Sequence, residues 1–328
     1  MTKKQPDTLL IIDGHALAYR AFFALPPLTA PNGHPTGAIL GFLRMLLGVL
    51  RDREPAAVAV VFDGPGPTFR DKLSAAYKAT RSPMPPDLRQ QIDWLKEFVP
   101  LTGLRMLCES GVEADDVIAS LARAAEKEAR VEILSGDKDL AALVSDRIAM
   151  LSPSRDLKGE KVLDPAGVEE KFGVPPSAIG DYLSLVGDSS DNIPGVPGIG
   201  AKTAAKLLQK FGTLDNLLAH QDELTARQQQ AFTDNAAVLE LSRKLVRLKT
   251  DLAVAGSSAL AEFRLRLAPE PEAVARLLSL GLKSILADLP GAASVAVSAA
   301  SASFRMPAVE LLDRDKLAAY LERLAAAP

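Results

Sequence analysis

Residues 113–139 read EADDVIASLARAAEKEARVEILSGDKD, and this stretch predicts a helix followed by a strand. The apolar residues of 117–129 recur at helical spacing, and the short apolar run 131–134 is typical of a buried strand. Acids stand where the helix begins and where the strand ends: Glu113, Asp115, Asp116, Asp137 and Asp139. Because sites form at strand ends of α/β sheets, the stretch predicts a site at this edge.

The chemistry of these acids indicates a metal site. Three acids within four residues are more than a helix dipole requires in its first turn. Asp137 and Asp139 are two residues apart, so an extended backbone would point both carboxylates to one side. Carboxylates this close repel one another unless they are protonated or share cations. A hard divalent ion such as Mg²⁺ prefers such oxygen ligands.

The same arrangement occurs twice nearer the start of the chain. The apolar runs 9–12 and 57–62 are followed by Asp13-Gly14 and Asp63-Gly64. One such ending is ordinary turn chemistry, but its repetition after successive strands is a pattern. Strands and helices alternate as far as residue 172, which predicts an α/β fold with a mostly parallel central sheet flanked by helices.

The remaining sequence suggests several units. We expect an α/β domain over 1–174, a helical region over 175–290, an Ala- and Ser-rich linker over 291–303, and the start of a further, incomplete domain over 304–328. Within the first unit, periodicity fails over about 65–90. From composition alone this is either a solvated loop or a flexible basic segment that engages phosphates near the acids.

A glycine hairpin precedes the predicted helix 201–210. Glycines allow close backbone approach, and free amides at a helix N-terminus can hold a phosphate. The candidate phosphate-binding residues of this element are Gly195, Gly198, Gly200, Lys202, Thr203 and Lys206.

Bulk composition excludes several classes of protein. One cysteine and three histidines rule out a disulfide framework and a cysteine-based zinc site, and His15 and His34 are assigned surface or structural roles. No apolar run reaches membrane-spanning length and the start lacks a signal-peptide core, so we expect a cytoplasmic protein. The formal net charge is −3, but it becomes positive once the candidate metal ligands are set aside.

Five motifs, taken in order, resemble those of the 5′-nuclease domain of bacterial DNA polymerase I, a member of the flap endonuclease family. The similarity covers about residues 8–290. It implies a PIN-like or resolvase-like nuclease domain over 1–174 and a helical DNA-binding region with a helix-hairpin-helix over 175–290. The motifs are Ile12-Asp13-Gly14 with Tyr19-Arg20; Val61-Phe62-Asp63 with Phe69-Arg70 and Tyr77-Lys78; Gly111-Val-Glu113-Ala-Asp115-Asp116; Gly136-Asp137-Lys138-Asp139; and residues 187–204, GDSSDNIPGVPGIGAKTA.

The resemblance implies roles for individual residues. It implies a first metal group of Asp13, Asp63, Glu113 and Asp115 with Asp116 beside it, and a second of Asp137, Asp139, Asp188 and Asp191. Lys78 and Arg81, on a mobile arch, would steady the scissile phosphate, and Tyr19 and Arg20 would support the adjoining base or phosphate. Arg70 is assigned to DNA binding. The glycine hairpin would grip duplex backbone, with a K⁺ ion bound.

The function so implied is that of a two-metal phosphodiesterase. It would act as a Mg²⁺-dependent 5′→3′ exonuclease and flap endonuclease on DNA flaps, nicks and RNA primers in replication and repair, with Mn²⁺ as a substitute. We expect a monomer at the bacterial nucleoid, with no membrane partner and a polymerase domain in cis if the chain is a fragment. A PIN-type ribonuclease and a non-catalytic branched-DNA binding module are the alternatives. The helical half over 175–250 argues against the first, and the full acid set against the second.

Overall fold

The computed structural model describes residues 7–153, 160–254 and 258–295. The expected further domain and all but 291–295 of the expected linker lie outside these ranges.

The centre of the fold is one six-stranded sheet in the order β3-β2-β1-β4-β5-β6. Neighbouring strands are parallel except β6, which runs antiparallel to β5. This confirms the mostly parallel sheet that the sequence predicts. The strands are β1 Thr8–Asp13, β2 Ala57–Val61, β3 Arg105–Leu107, β4 Arg130–Leu134, β5 Ile148–Pro153 and β6 Glu160–Leu163.

Helices cover both faces of the sheet because apolar side chains point to both sides of its central strands. In the described ranges the α-helices are α1 Gly14–Ala24, α2 Gly37–Arg53, α3 Phe69–Leu73, α4 Pro86–Leu101, α5 Ala114–Ala125, α6 Pro165–Phe172, α7 Ile179–Val186, α8 Ala201–Phe211, α9 Leu214–Ala219, α10 Ala226–Asp234, α11 Ala236–Val246, α12 Ala259–Glu262, α13 Pro271–Ser279 and α14 Lys283–Asp288. No helix within the described residues is both long and apolar enough to cross a bilayer.

Alternate residues of β1 divide the interior into two cores. Leu10 and Ile12 pack on one face with α1, α2, α4, α13 and α14. Leu9 and Ile11 pack on the other face with α5 and with helices α6 to α12. The helical region after residue 174 therefore buries its apolar side chains against the same sheet as the first half of the chain.

The strand order reverses between β1 and β4, which lie side by side at the centre of the sheet. Asp13 is in register with Val61, and Ile12 with Leu134, so the carboxyl ends of β1, β2 and β4 meet at one edge. Such a reversal opens a crevice beyond the strand ends, where ligands bind in parallel sheets.

Local boundaries differ from the sequence expectation in two places. Helix α4 begins at Pro86, where proline fits the first helical position, so residues 86–90 are helix and not arch. The backbone at Asp137 and Asp139 is not extended as predicted. Asp139 begins a 3₁₀ turn, and its amide donates to Oδ1 of Asp137 at 2.9 Å. Aspartate commonly makes this local bond in competition with a strand.

Candidate active site

A polar cleft of about 550 Å³ opens at the carboxyl edge of the sheet. Its lining combines acids from several chain segments with basic side chains from the segment that precedes α4. The charged and aromatic lining residues are Asp13, His15, Tyr19, Asp63, Lys78, Arg81, Asp115 and Asp137. Four of the nine candidate metal ligands thus share one cavity.

Asp13 joins the first strand to its helix and to the neighbouring strand. Its Oδ1 accepts the amide of Ala16 at 2.9 Å and so caps α1. Its Oδ2 accepts the hydroxyl of Ser135 at 2.7 Å, just beyond β4. Burial, with the charges of Asp137 and Asp63, raises the pKa of Asp13 to about 6. A bound cation would remove the cost of ionising this group.

The main chain of Asp63 is held on both sides. Its carbonyl accepts the ammonium of Lys96 at 3.0 Å, and its Oδ1 accepts the amide of Ala114 at 2.8 Å. Its amide lies 3.1 Å from Nδ1 of His15, which is also 3.3 Å from Oδ2 of Asp63. Burial lowers the pKa of His15, which favours a neutral ring whose Nδ1 accepts the amide hydrogen of Asp63. The carboxylate, 47% exposed, is then open to the cleft.

Asp115 and Asp137 complete the acidic side of the cleft. Burial raises the pKa of Asp115 well above its usual value, and the charges of Asp137 and Asp13 add to the rise. The amide of Asp137 binds the hydroxyl of Ser135 at 3.0 Å, which fixes its loop against β4. Asp137 was expected in the second metal group, but the structure places it in the cleft with the first.

A second group of acids lies beside the cleft. One carboxylate oxygen from each of Asp139, Asp188 and Asp191 lies within 4.8 Å of the others, which is a spacing that could hold a metal ion. Burial and the charges of Asp137, Asp191 and Asp188 raise the pKa of Asp139 to about 7. Its buried Oδ1 has no hydrogen-bond partner among the described residues. A buried carboxylate oxygen without a donor fits a hard divalent cation.

Basic side chains lie directly on this second group. Lys138 places its Nζ 2.9 Å from Oδ1 of Asp188, and the Arg81 guanidinium contacts Oδ1 of Asp191. Lys78 lies 3.0 Å from Oε1 of Glu113 and 3.9 Å from Oδ2 of Asp191. The chain's own cations therefore balance acids that would otherwise repel one another.

Arg70 was assigned to DNA binding, but the structure buries its side chain. Only 2% of the residue is exposed. Its guanidinium donates to both oxygens of Asp116 and to Glu113, at 2.7 to 3.1 Å. It also donates to the carbonyls of Leu245 and Arg247, so it joins α3 to α5 and to the end of α11.

Asp116 also differs from its expected role as a metal ligand. It is 0% exposed, and both oxygens already accept from Arg70. Its Oδ1 accepts in addition the amide of Lys249 at 2.9 Å. Both oxygens of this carboxylate thus accept from protein donors, and Asp116 is not among the residues that line the cleft.

Glu113 was expected in the first metal group but faces the second. The Tyr77 hydroxyl lies 3.1 Å from Oε2 of Glu113 and 3.1 Å from Oδ2 of Asp191, so it bridges the two acids. Burial, with the charges of those two acids, raises the pKa of Tyr77, and the phenol remains a hydrogen-bond donor. Glu113 is thereby tied to Asp191 and away from Asp13.

Sequence reasoning missed three residues that organise the site. Ser135 binds Asp13, His15 binds Asp63, and Lys138 pairs with Asp188. Each stands within two residues of a candidate ligand in sequence, which is the signal that could have identified it. Of the two residues expected to support the substrate, Tyr19 lines the cleft. Arg20 is not in its lining and donates to the carbonyl of Pro153.

The glycine hairpin packs tightly before α8. A Cβ built on Gly195 would lie 2.3 Å from the carbonyl oxygen of Val186, whereas one on Gly200 would meet nothing within 4 Å. Lys202 and Lys206 are exposed on α8, and Thr203 is half-buried. Gly198 has a φ of 85°, which side-chain-bearing residues rarely adopt.

Two family models cover most of the chain. Residues 8–173 match the model described as 5′-3′ exonuclease, N-terminal resolvase-like domain, and residues 174–268 match 5′-3′ exonuclease, C-terminal SAM fold. The chain is 45% identical over 246 residues to a 5′-3′ exonuclease of Aquifex aeolicus, which covers 75% of this chain and 83% of that protein. It is 46% identical over 245 residues to the thermostable DNA polymerase I of Thermus aquaticus, which covers 74% of this chain and 29% of the polymerase.

Solved structures share the fold at low sequence identity. The T5 5′-exonuclease with bound divalent metal ions (zinc) aligns with a TM-score of 0.63 at 22% identity, covering 78% of this chain and 96% of that one. The catalytic core of Rad2 in complex with DNA substrate aligns with a TM-score of 0.53 at 14% identity, covering 89% and 92%.

Proposed function

Because the chain belongs to the 5′-3′ exonuclease family, we propose that it hydrolyses phosphodiesters in DNA from the 5′ end with the help of divalent metal ions. Its substrates would be 5′ flaps, nicked duplexes and RNA primers, in replication and repair. The observation that carries the proposal is the pairing of the acidic cleft with the neighbouring acid group of Asp139, Asp188 and Asp191.

The two groups of acids suggest where ions would bind. Asp13, Asp63, Asp115 and Asp137 would hold one ion, and Asp139, Asp188 and Asp191 would hold another. The donors are all carboxylates, several of them with raised pKa values, which suits Mg²⁺ or Mn²⁺. When bound, such ions lower the pKa of an attacking water and stabilise charge on the phosphate and leaving oxygen.

The chain's own residues would bind and orient the substrate. Lys78 and Arg81 now pair with Glu113 and Asp191, and a cation taken up by these acids would leave both side chains free to bind phosphate oxygens. Tyr19 lines the same cleft and offers a ring to a terminal base. The segment between α3 and α4, which carries Lys78 and Arg81, would act as a basic cover of the cleft.

The helical half would bind duplex backbone without reading its sequence. The hairpin from Gly195 to Gly200 and the exposed Lys202 and Lys206 are the residues we assign to this contact, with a K⁺ ion at the hairpin. We propose that the nuclease acts as a monomer. The chain spans less than a third of the polymerases it matches, and a polymerase domain in cis is the corresponding proposal for a longer protein.

The test is cleavage of a flap duplex labelled at its 5′ end, with Mg²⁺ and with EDTA. Short metal-dependent 5′ products are the expected result. Tight binding without cleavage would overturn the nuclease and favour a branched-DNA binding module. Cleavage of single-stranded RNA without regard to duplex structure would favour a PIN-type ribonuclease.

A further inference from the structure

A second groove lies between α3 and the end of α11. It has a volume of about 490 Å³ and shares no lining residue with the acidic cleft. We call it the Phe69 groove and define it by Phe69, Leu73, Lys244, Arg247 and Lys249.

The floor of the Phe69 groove is apolar and open to solvent. Leu73 is 42% exposed and belongs to neither hydrophobic core. Phe69 is half-buried, and Nζ of Lys249 lies 4.3 Å from its ring centroid. The Arg70 guanidinium carbon lies 4.5 Å from the same centroid, so two cations already contact the ring. The accessible floor is therefore Leu73 with the exposed part of Phe69.

The walls of the Phe69 groove are basic. In the described part of the chain, no acid lies within ion-pair distance of Arg247 or Lys249. Lys244 pairs with Glu240 at 3.4 Å on the surface, a contact of little strength, and Asp251 is the acid in the lining. Cations that no protein acid neutralises are available to an anionic ligand.

The groove is connected directly to the candidate active site. Phe69 and Leu73 lie on the helix that begins the segment carrying Lys78 and Arg81. From the same helix, Arg70 binds Glu113, the acid that Lys78 contacts. The groove and the cleft are therefore linked through one short helix and the acid Glu113.

We propose that the Phe69 groove binds the single-stranded 5′ part of a nucleic-acid substrate, beyond the phosphodiester that is cut. The inference rests on the proposed nuclease function. An apolar floor beside Arg247, Lys249 and the weakly paired Lys244 fits unstacked bases on a phosphate chain, because single strands expose base faces that a duplex hides. Lys244 and Arg247 would contact phosphates, and Phe69 and Leu73 would contact bases.

The experiment compares two DNA probes bound to the full chain in EDTA, so that cleavage is not required. One is a fluorescent duplex with a 5′ flap of about twenty thymidines, and the other is the same duplex with a nick and no flap. In the double variant Lys244→Glu, Arg247→Glu, we expect about tenfold weaker binding of the flap probe and nicked-duplex binding within about twofold. The salt slope for the flap probe should fall by about 1.4, the amount expected for two single-strand phosphate contacts.

The matched control is Lys127→Glu, Arg130→Glu, which reverses two exposed charges near the opposite edge of the sheet. This control should bind both probes like the wild type. Leu73→Ser tests the apolar floor and should weaken the flap probe alone. Unchanged flap binding in the Lys244→Glu, Arg247→Glu variant, or equal losses on both probes, would overturn the proposal. If the wild-type protein cleaves flaps and the variant gives either of these results, the groove assignment fails and the nuclease function stands.

Discussion

Nζ of Lys78 lies 3.0 Å from Oε1 of Glu113, so a side chain expected to bind substrate is held against an acid of the site. The backbone of Lys78 has a φ of 55°, a left-handed conformation that is uncommon outside glycine. Its amide donates to the carbonyl of Asp191 at 2.8 Å. Both the main chain and the side chain of Lys78 are thus held by acidic residues. A metal ion that binds the Glu113 carboxylate would compete with the Lys78 ammonium.

Lys78→Ala should reduce turnover more than affinity. A lysine that stabilises charge on the reacting phosphate contributes chiefly in the transition state, so we expect kcat to fall on the order of 10²-fold. The Kd for a flap duplex should change by less than about threefold, because most binding contacts lie elsewhere. Single-turnover kinetics measure the first and anisotropy the second. Lys72→Ala, an exposed lysine six residues earlier, is the control. Normal turnover of Lys78→Ala would remove Lys78 from the mechanism.

Asp137→Asn should nearly abolish cleavage and leave duplex binding within a few fold. Asp137 lies in the cleft and adds to the raised pKa values of Asp13, Asp115 and Asp139. Loss of a carboxylate between two ion sites should cost on the order of 10³-fold in kcat. Asp146→Asn, at an exposed loop position, should behave like the wild type. Turnover of Asp137→Asn comparable to that of this control would contradict the assignment.

Arg70→Ala should destabilise the fold by about 3–5 kcal/mol, because it leaves the buried carboxylate of Asp116 without its partner. Urea unfolding measures the change in the free energy of unfolding. Arg81→Ala is the comparison, since Arg81 pairs with Asp191 but is 49% exposed, and it should cost less than about 1 kcal/mol. Equal effects of the two variants would mean that the Arg70 ion pair does not stabilise the protein.

The metal-free protein should lose stability as pH rises. The pKa values of Asp13 and Asp139 are raised in the folded protein, to about 6 and about 7, from an unfolded value near 3.8. Their contribution to stability is complete below the unfolded value and is lost as pH rises through the folded values. We expect Tm in EDTA to fall between about pH 4 and about pH 7, and Mn²⁺ to raise Tm more at the higher pH.

The control for this pH prediction is Asp139→Asn, which removes one titrating carboxyl. Its Tm in EDTA should depend less steeply on pH than that of the wild type. A steeper dependence, or a Mn²⁺ effect that does not change with pH, would contradict the raised pKa of Asp139.

Substitutions at two hairpin glycines test the folding of the hairpin and its contact with DNA separately. Gly195→Ala should destabilise the protein, since its Cβ would lie 2.3 Å from the Val186 carbonyl oxygen. Gly200→Ala meets no protein atom within 4 Å and should cost less than about 1 kcal/mol as a helix N-cap. If duplex backbone approaches this point, Gly200→Ala should nevertheless weaken duplex binding several-fold. Wild-type affinity in a folded Gly200→Ala protein would exclude such an approach.

Sequence alone could predict the sheet because its evidence is local. Apolar runs such as 9–12 and 57–62 are strands buried on both faces, and their endings place Asp13 and Asp63 at the same edge. The extended backbone at Asp137 and Asp139 was a wrong prediction. A single bond from the Asp139 amide to the Asp137 carboxylate turns the chain there.

The fate of each charged residue could not be read from local sequence. Arg70 and Asp116 are charged residues of the kind usually found on a surface. In this protein they bind one another in the interior, although 46 positions separate them in sequence. Glu113 turns toward Asp191 because Tyr77 bridges the two acids. Such pairings depend on which elements pack together, and a sequence pattern contains no information on the distance between elements.

The carbonyls of Leu245 and Arg247 that accept from Arg70 belong to the second family portion, whereas Arg70 belongs to the first. Leu9 and Ile11 likewise contribute to a core completed by helices beyond residue 174. A chimera that joins residues up to 173 of this chain to a relative's second portion would bring together, at this interface between the two portions, side chains from two different proteins. Relatives for such hybrids should therefore be chosen by how well their side chains fit at this interface. Active hybrids should come from pairs that exchange α3 together with the end of α11.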